Sequence, residues 1–318
     1  MALSLAESAK LSTTNLQRGV IETFVQESSI LDRIPLLPIE GNSYSYNEEA
    51  TLPGVAFRSV NEAYTESTGT VNQKSESLVI LGGDADVDRF IVQTRGNLND
   101  QRAVQTRLKV KAAAYKFQDT FFNGDVVTDP KSFDGLRKRL TGAQVISAGT
   151  NGAPIVGAGA ADSHTFFDLM DALVASVPGL TSANGALYAN RQVIAKVRSA
   201  ARRIGGFEMV REALTGKLVA TYNGIPFLDP GQTAAGAEIL PQTETAGTAT
   251  DASSIYVVRF GQTEDDQAVT GLTNGGVMVD DLGQLETKPA YRTRIEFYCG
   301  LAVFGGKGAA RLNGVLAK

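Results

Sequence analysis

Apolar positions recur with the spacing of an α-helix in four stretches of the chain. The longest, Asn99–Asn123, carries Val104, Leu108, Ala112, Tyr115 and Phe122. Its roughly 24 residues would form a rod about 36 Å long, and Gly124 is a natural end for it. Shorter amphipathic helices are predicted over Asn15–Ser28, Ser163–Val177 and Asn190–Ile204.

Strands are predicted where apolar and polar residues alternate. They are Ile39–Asn47, Ser77–Ile91, Ala186–Ala189, Lys217–Tyr222, Ile225–Leu228, Ile255–Phe260, Tyr291–Phe304 and Ala310–Leu316. Asn223-Gly224 is the strongest hairpin signal, because both residues accept the positive φ of a two-residue turn. Helices and strands mix without a strand-helix-strand rhythm, so the sequence predicts an α+β fold.

The strand Tyr291–Phe304 has one predominantly apolar side that includes Phe297. Arg292 and Arg294 lie on its other side and are expected to face solvent or a neighbouring subunit. The long helix offers an apolar stripe that includes Leu108. We therefore expect Phe297 and Leu108 to be in contact.

Two segments have too few apolar residues for a core of their own. The first forty residues are predicted to be an arm, whose helix carries Leu16, Val20 and Phe24 and needs a surface to dock on. Residues 39–92 are predicted to be a long hairpin with a polar connection, which is unusual inside one compact domain. We expect the hairpin to lie on a neighbouring subunit, and a mobile surface loop is the alternative.

Composition excludes several classes of protein. The 318 residues suggest about two domains. With one Cys and one His, the chain can form neither an intrachain disulfide framework nor a zinc site with paired thiolates or two histidines. A net charge of −4 argues against nucleic-acid binding by bulk positive charge. The first residues show no secretory signal, and we expect synthesis in the cytoplasm and no membrane span.

Motifs that could carry chemistry are incomplete. Asp84, Asp86 and Asp88 share one side of a strand, which favours solvation or salt bridges to a neighbouring subunit over a metal site. His164 follows Ser163 at a helix start, where adjacent side chains do not face each other as a catalytic pair. Cys299 is expected to be a core residue. The sequence thus predicts no catalytic, cofactor-binding or metal-binding residue, no cofactor, and no enzyme activity.

The predicted helix Asn190–Ile204 carries the densest basic cluster of the chain. The cluster comprises Arg191, Lys196, Arg198, Arg202 and Arg203. These side chains could contact phosphates. Pairing with acidic residues of another subunit is favoured, because no aromatic residues are interleaved with them.

Six sequence segments, in this order along the chain, resemble segments of the major capsid proteins of tailed bacteriophages, which have the HK97-type fold. They are Gly41-Asn-Ser-Tyr-Ser-Tyr46, Thr51-Leu-Pro-Gly54, Thr120-Phe-Phe-Asn-Gly-Asp125, Phe133-Asp-Gly-Leu-Arg-Lys-Arg-Leu140, Tyr291-Arg-Thr-Arg-Ile-Glu-Phe-Tyr298 and Ala310-Arg-Leu-Asn-Gly-Val315. The resemblance covers essentially the whole chain. It implies an N-terminal arm at 1–38, an extended E-loop at 39–92, and a peripheral domain at 93–154 with a spine helix at 99–123. An axial domain at 155–285 and a return to the peripheral domain at 286–318 would follow.

The resemblance also implies a function and partners. The protein would assemble into hexamers and pentamers of an icosahedral head that encloses double-stranded DNA, in the virion capsid. Scaffolding, portal and cementing proteins are possible partners, and no scaffold is expected to be fused at the N-terminus. The expected subunit contacts are Leu16, Val20, Phe24, Tyr44, Tyr46, Phe57, Arg58, Lys74, Arg198, Arg202, Arg292 and Arg294.

Two alternatives to this interpretation stay open. An encapsulin-like compartment shares the fold but encloses protein cargo. An unrelated soluble enzyme is disfavoured by the missing chemistry. The type member of the fold joins a loop lysine to an asparagine of a neighbouring subunit, but the match of Lys74 and Asn313 to that motif is too weak to carry this crosslink over to the present chain.

Overall fold

The computed structural model describes residues 28–95, 101–157, 160–204, 208–211 and 218–317. Its α-helices are α1 (Arg89–Arg95), α2 (Gln101–Asn123), α3 (Leu136–Arg139), α4 (Ala160–Ala175) and α5 (Arg191–Ile204). Three predicted helices are confirmed with small shifts at their ends, as α2, α4 and α5. The predicted helix at Asn15–Ser28 lies outside the described residues except for its last residue. No helix in the described ranges is long and apolar enough to cross a membrane.

A four-stranded sheet forms one layer of the molecule. Its order is β1 (Leu36–Pro38), β13 (Val269–Gln284), β14 (Ala290–Val303) and β4 (Val79–Asp88). The strand β14 pairs antiparallel with both of its neighbours. The predicted strand Tyr291–Phe304 is therefore confirmed, and it is one of the two central strands of this sheet.

The second sheet is larger, and its strands come from distant parts of the chain. Its main path runs β5 (Val145–Ser147), β15 (Ala309–Leu316), β12 (Ala249–Arg259), β7 (Gly185–Tyr188), β10 (Ile225–Leu228), β9 (Leu218–Tyr222) and β8 (Glu208–Arg211). Two short strands, β6 (Ala153–Pro154) and β11 (Glu244–Ala246), pair at its side. The predicted turn between β9 and β10 is confirmed, with Asn223 at φ 49° and Gly224 at φ 74°.

The remaining two strands form the hairpin. The strand β2 (Ser43–Thr51) pairs antiparallel with β3 (Thr70–Ser77), so a hairpin is present, but the prediction that Ser77–Ile91 is its return strand is wrong. The chain from Val79 onward leaves the hairpin and enters the four-stranded sheet as β4, because its residues pair with β14.

We call α2 the spine helix, and one of its apolar sides packs on the four-stranded sheet. Val110, Ala114, Phe117 and Phe121 are buried there, at positions i, i+4, i+7 and i+11. The expected contact between Leu108 and Phe297 is wrong. Leu108 is 55% exposed, because the helix turns its phenylalanine-bearing side inward. Phe117, not Leu108, lies against Phe297.

The end of the spine helix explains one of the motifs. Gly135 donates its backbone N–H to the carbonyl of Gly124 over 2.9 Å. A Cβ atom on Gly135 would overlap the carbonyl of Thr120, and one on Gly124 would overlap the carbonyl of Phe133. Both glycines are thus needed where the segment after the helix folds back on its last turn.

A second core lies between the larger sheet and the helices α4 and α5. Phe166, Met170 and Leu173 of α4 and Val193 and Val197 of α5 are buried there. The side chains that β7 and β12 turn to the other side of the sheet, Tyr188 and Tyr256, join the core of the spine helix. The two cores therefore share this sheet as a wall.

Sheet membership differs from the boundaries expected for the domains. The strand β13 belongs with β14, although 155–285 was expected to be one axial domain. The strands β5 and β15 belong to the larger sheet, although 93–154 and 286–318 were expected in the peripheral domain. Pairing between strands distant in sequence decides this membership, and local periodicity does not display it.

Residues 28–38 are part of the subunit's own body. Ile30, Leu31 and Ile34 are buried against the spine-helix core, and β1 pairs parallel with β13. The expectation that the arm extends to residue 38 is wrong for this stretch, because its apolar side chains are buried in the core of the same subunit. The contact candidates Leu16, Val20 and Phe24 lie outside the described residues.

Candidate functional site

The base of the hairpin is fixed to the body of the subunit. Tyr46 is 4% exposed and packs edge-on against Phe304, with 4.9 Å between the ring centroids. Arg139 forms a bidentate ion pair with Glu76 from the other strand. Tyr46 is therefore buried within its own chain, whereas it was expected to contact another subunit.

Polar contacts secure the same base. The hydroxyl of Tyr44 donates to Glu264 Oε1 over 2.5 Å. Hydrogen bonding to this carboxylate raises the pKa of Tyr44 to about 12. The Lys74 ammonium lies 2.5 Å from Glu48 Oε2, across the two hairpin strands. The first contact ties the hairpin base to the body of the subunit, and the second ties the two hairpin strands to each other.

The connection between the two hairpin strands has the opposite character. It exposes large apolar side chains: Leu52 at 77%, Val55 at 96%, Phe57 at 107%, Val60 at 89% and Tyr64 at 67%. Its own contacts are local, such as the guanidinium of Arg58 lying 5.3 Å from the ring centroid of Tyr64. A single subunit therefore presents uncovered apolar side chains, including Phe57, at the end of an anchored hairpin.

The acidic face of β4 pairs within the chain. Arg292 forms a bidentate pair with Asp86 at 2.7 and 2.8 Å, and Arg294 pairs with Asp84 at 2.8 and 3.0 Å. Hydrogen bonds from these guanidinium groups lower the pKa of Asp84 and Asp86. The expectation of salt bridges to a neighbouring subunit is corrected, because register places each arginine opposite an aspartate of its own sheet.

The basic helix α5 presents its charges to solvent. Asn190 caps its start by accepting a hydrogen bond from the backbone N–H of Gln192 over 2.8 Å. Val193, Val197 and Ala200 are buried, so Arg198, Arg202 and the neighbouring cations take the opposite side. Arg191 pairs with Asp229 at 3.2 Å. Within the described part of the chain, Arg198 and Arg202 have no carboxylate within ion-pair distance.

The remaining candidate groups sit in structural roles. Ser163 is buried and donates to the carbonyl of Ile155 over 3.1 Å, while its neighbour His164 is exposed. Cys299 is 1% exposed, as expected for a core residue. No cluster of three metal-ligating side chains occurs among the described residues. Asn313 lies in β15 opposite Ser147.

The sequence matches one protein family, and the fold is similar to those of several solved structures. The family described as "Major capsid protein GP7" matches residues 13–165. No curated protein matches the sequence. The fold is similar to a holo-SrpI encapsulin complex from Synechococcus elongatus PCC 7942, with a TM-score of 0.67, 18% identity, and 91% of this chain and 88% of that chain covered.

Two further similar structures come from a GTA particle and from a bacteriophage. The capsid of a native GTA particle gives a TM-score of 0.64 at 17% identity, covering 91% of this chain and 90% of that chain. A Mycobacterium phage Bobi chain gives 0.57 at 16% identity, covering 90% and 89%. At such low identity these likenesses establish the fold.

The molecule thus has the fold of an HK97-type shell protein. Together with the family match over residues 13–165, this fold supports a phage major capsid protein of HK97 type. The predicted structural role in the virion capsid, through self-assembly into capsid oligomers, is confirmed. The family match indicates a structural rather than an enzymatic protein, which disfavours the alternative of an unrelated soluble enzyme.

Proposed function

We propose that the chain forms the hexamers and pentamers of an icosahedral head that encloses double-stranded DNA. The observation that carries the proposal is the anchored hairpin with its uncovered loop. Tyr46 and Glu76 fix the base, whereas Phe57 and Val60 are not covered by any of the described residues. A second subunit that covers this loop completes the missing contacts.

The energetics favour assembly at this loop. Burying a large apolar side chain stabilises by about 1.5–3 kcal/mol, and this loop offers five such side chains to a neighbouring copy. The contact is heterologous, because the loop of one copy meets a different surface on the next. Rotation around an axis then closes such contacts into rings, which suits hexamers and pentamers.

Other surfaces join the proposed contacts. Arg58 on the loop and Arg198 and Arg202 on α5 are exposed cations that can meet carboxylates of neighbouring copies. Arg292 and Arg294 act on assembly indirectly, by holding β4 in place. The peripheral and axial domains of the resemblance correspond to the spine-helix core and the α4/α5 core, a division that the two separate hydrophobic clusters support.

The proposed partners follow from the proposed head. Packaged DNA would be contacted without sequence specificity, since the described residues include no motif for reading bases. Scaffolding, portal and cementing proteins belong to the same proposal. The second candidate function is a compartment shell around protein cargo, and the specific observation in its favour is the likeness to the encapsulin of Synechococcus elongatus PCC 7942.

One experiment separates the two candidates. Particles are purified from the cells in which the gene is naturally expressed, treated with nuclease, imaged by electron microscopy and then opened. Closed shells with nuclease-protected double-stranded DNA support the head. Closed shells that hold one abundant enzyme and no DNA support the compartment. Monomers alone, under all salt conditions tested, contradict both.

A further inference from the structure

Two helices that share a core, α4 and α5, present stripes of opposite charge to solvent. The stripe of α4 lies at positions i, i+3, i+4 and i+7, on one side of the helix. It consists of four exposed residues, Asp168, Asp171, Ala172 and Ala175. Phe166, Met170 and Leu173 lie on the other side and are buried in the α4/α5 core. The exposed side of α4 is therefore acidic, and two small side chains lie beside its two carboxylates.

The stripe of α5 has the same spacing and the opposite charge. It consists of Ala195, Arg198, Ser199 and Arg202, of which Ser199 is half-buried and the others are exposed. Each stripe ends seven positions after it begins, so each is about 10 Å long. Among the described residues, no ion pair joins either arginine of this stripe to Asp168 or Asp171. The two stripes of one copy thus do not neutralise each other.

We propose that α5 of one copy packs antiparallel against α4 of the next copy, with Arg202 beside Asp168 and Arg198 beside Asp171. The inference rests on the proposed function, because a second copy in the ring supplies the partner helix. It names the carboxylates that the exposed arginines of α5 meet. The contact is heterologous, so each copy uses α5 toward one neighbour and α4 toward the other, and rotation closes such contacts into a ring.

The order of the residues selects the antiparallel orientation. In that orientation both arginines lie beside an aspartate, so two charge-assisted pairs form. A parallel orientation keeps only the pair of Arg198 with Asp171, because it moves Arg202 to the far end, away from Asp168. Asp171 also accepts the hydroxyl hydrogen of Tyr222 over 2.5 Å, which holds its carboxylate in place for a partner. Antiparallel helices, in addition, align their dipoles favourably.

Small side chains let the two helices approach closely. The antiparallel orientation sets Ala175 of α4 opposite Ala195 of α5, and Ala172 lies between the charged pairs and this end. The distance between packed helix axes depends on the side chains at the contact and is shortest where they are small. The arginine stems can then lie along the partner helix while their guanidinium groups reach the carboxylates. A nucleic-acid phosphate would pair with α5 but would leave the acidic stripe of α4 unmatched, whereas a second copy matches both stripes.

Paired cysteines test the orientation in assembled particles. Ala175→Cys is combined with Ala195→Cys, and the oxidant diamide is added before free thiols are blocked and the particles are denatured. In the antiparallel contact the two cysteines belong to neighbouring copies, so disulfides should join chain to chain and give a ladder on a gel without reductant. The control combines Asp168→Cys with Ala195→Cys, which meet only in a parallel contact. The native Cys299 does not compete, since it is buried and its thiol stays protonated.

Exchanging the two charges of one pair tests the chemistry of the contact. Arg202→Glu alone, or Asp168→Arg alone, sets like charges side by side and should lower the yield of closed shells at least about fivefold. The two changes together restore an ion pair with its signs exchanged and should return the yield to within about twofold of the wild type. The matched control combines Arg202→Glu with Asp265→Arg, an exposed carboxylate on another surface, and should not restore the yield. Circular dichroism shows that every variant is folded, as expected for exposed positions.

The outcomes separate this contact from the proposed head. A ladder from the Ala175 and Ala195 pair alone, together with rescue by Asp168→Arg alone, supports the proposal. Disulfides confined to single chains, a ladder from the control pair, or equal yields for all charge variants overturn it. Shells of Arg202→Glu that form at the wild-type yield but retain less nuclease-protected DNA overturn it in favour of phosphate contacts. Each of these results is obtained with shells that form, so it overturns the contact alone, whereas wild-type protein that forms no shells overturns the proposed function as well.

Discussion

The ring of Phe117 on the spine helix lies against the ring of Phe297 on β14, with 5.9 Å between their centroids. Each residue is 1% exposed. The contact joins the longest helix to a central strand of the four-stranded sheet, although the two residues are far apart in sequence. The sheet and the helix therefore depend on each other for a common core.

The first prediction concerns this contact. Phe297→Ala should lower the free energy of unfolding of the dispersed subunit by about 3–5 kcal/mol, because it removes a buried ring and leaves a cavity. Leu108→Ala is the matched control, and it should change that free energy by at most about 0.5 kcal/mol, since Leu108 is largely in water. Urea denaturation followed by circular dichroism measures both.

The pair itself is tested by a double-mutant cycle. Phe117→Ala combined with Phe297→Ala should depart from additivity by at least about 0.5 kcal/mol, because each truncation removes the partner of the other. Strict additivity would show that the two rings do not stabilise one another.

The sequence predicts that this helix and this strand meet, but not which side of the helix is buried. Two apolar rows run along the helix, one through Val104, Leu108 and Tyr115 and one through Val110, Ala114 and Phe117. Periodicity alone gives both rows the correct spacing. Which of the two rows is buried depends on the shape of the surface that β14 and β4 form together, and a local sequence pattern does not contain that information.

Other parts of the structure could not be predicted from the sequence, for different reasons. The strand β13 has 16 residues but was not predicted, because Gly275 and Gly276, at φ 80° and 70°, break its alternation at an irregularity in the ladder. The pairs of Arg292 with Asp86 and Arg294 with Asp84 depend on register across two distant strands. By contrast, the exposed loop around Phe57 was predictable, since its composition offers no core.

The second prediction concerns acid. Because the pKa of Asp84 and of Asp86 is lowered in the folded subunit, both carboxylates stabilise the fold above their unfolded pKa near 4. That stabilisation is lost as the pH falls below about 4 and protons bind. Between pH 5 and pH 3 the urea midpoint of the wild type should fall more than that of Asp86→Asn.

A second carboxylate serves as the control for the acid experiment. Asp168→Asn on the exposed side of α4 should leave the wild-type pH dependence in place, since no arginine of the described residues forms an ion pair with Asp168. Identical curves for wild type and Asp86→Asn would contradict the assigned pairing.

The third prediction concerns the cysteine. Burial raises the pKa of Cys299 to about 12, so its thiol is protonated at pH 8 and shielded from reagents. The folded subunit should not react with Ellman's reagent at this pH, and one thiol per chain should react after denaturation. Full reaction in the folded state would place Cys299 at the surface and would contradict the orientation of β14.

The fourth prediction concerns the hairpin loop. Residues 52–69 are replaced by Asn-Gly, a two-residue turn that joins the paired residues Thr51 of β2 and Thr70 of β3. The exposed side chains in this loop make no core contact, so the free energy of unfolding of the dispersed subunit should be unchanged within about 0.5 kcal/mol. Shell formation should be lost, because the apolar contacts to the next subunit are gone. Urea denaturation and electron microscopy provide the two measurements.

A point variant separates the apolar contacts from the length of the loop. Phe57→Ser keeps every backbone atom and should reduce the yield of shells, since it removes the most exposed apolar side chain of the loop. Val127→Ser is its control, because Val127 is 82% exposed on the turn after the spine helix and lies outside the hairpin. A loop-replaced protein that still forms closed shells would show that subunits meet through other surfaces, and the anchored base at Tyr46 would then need another explanation.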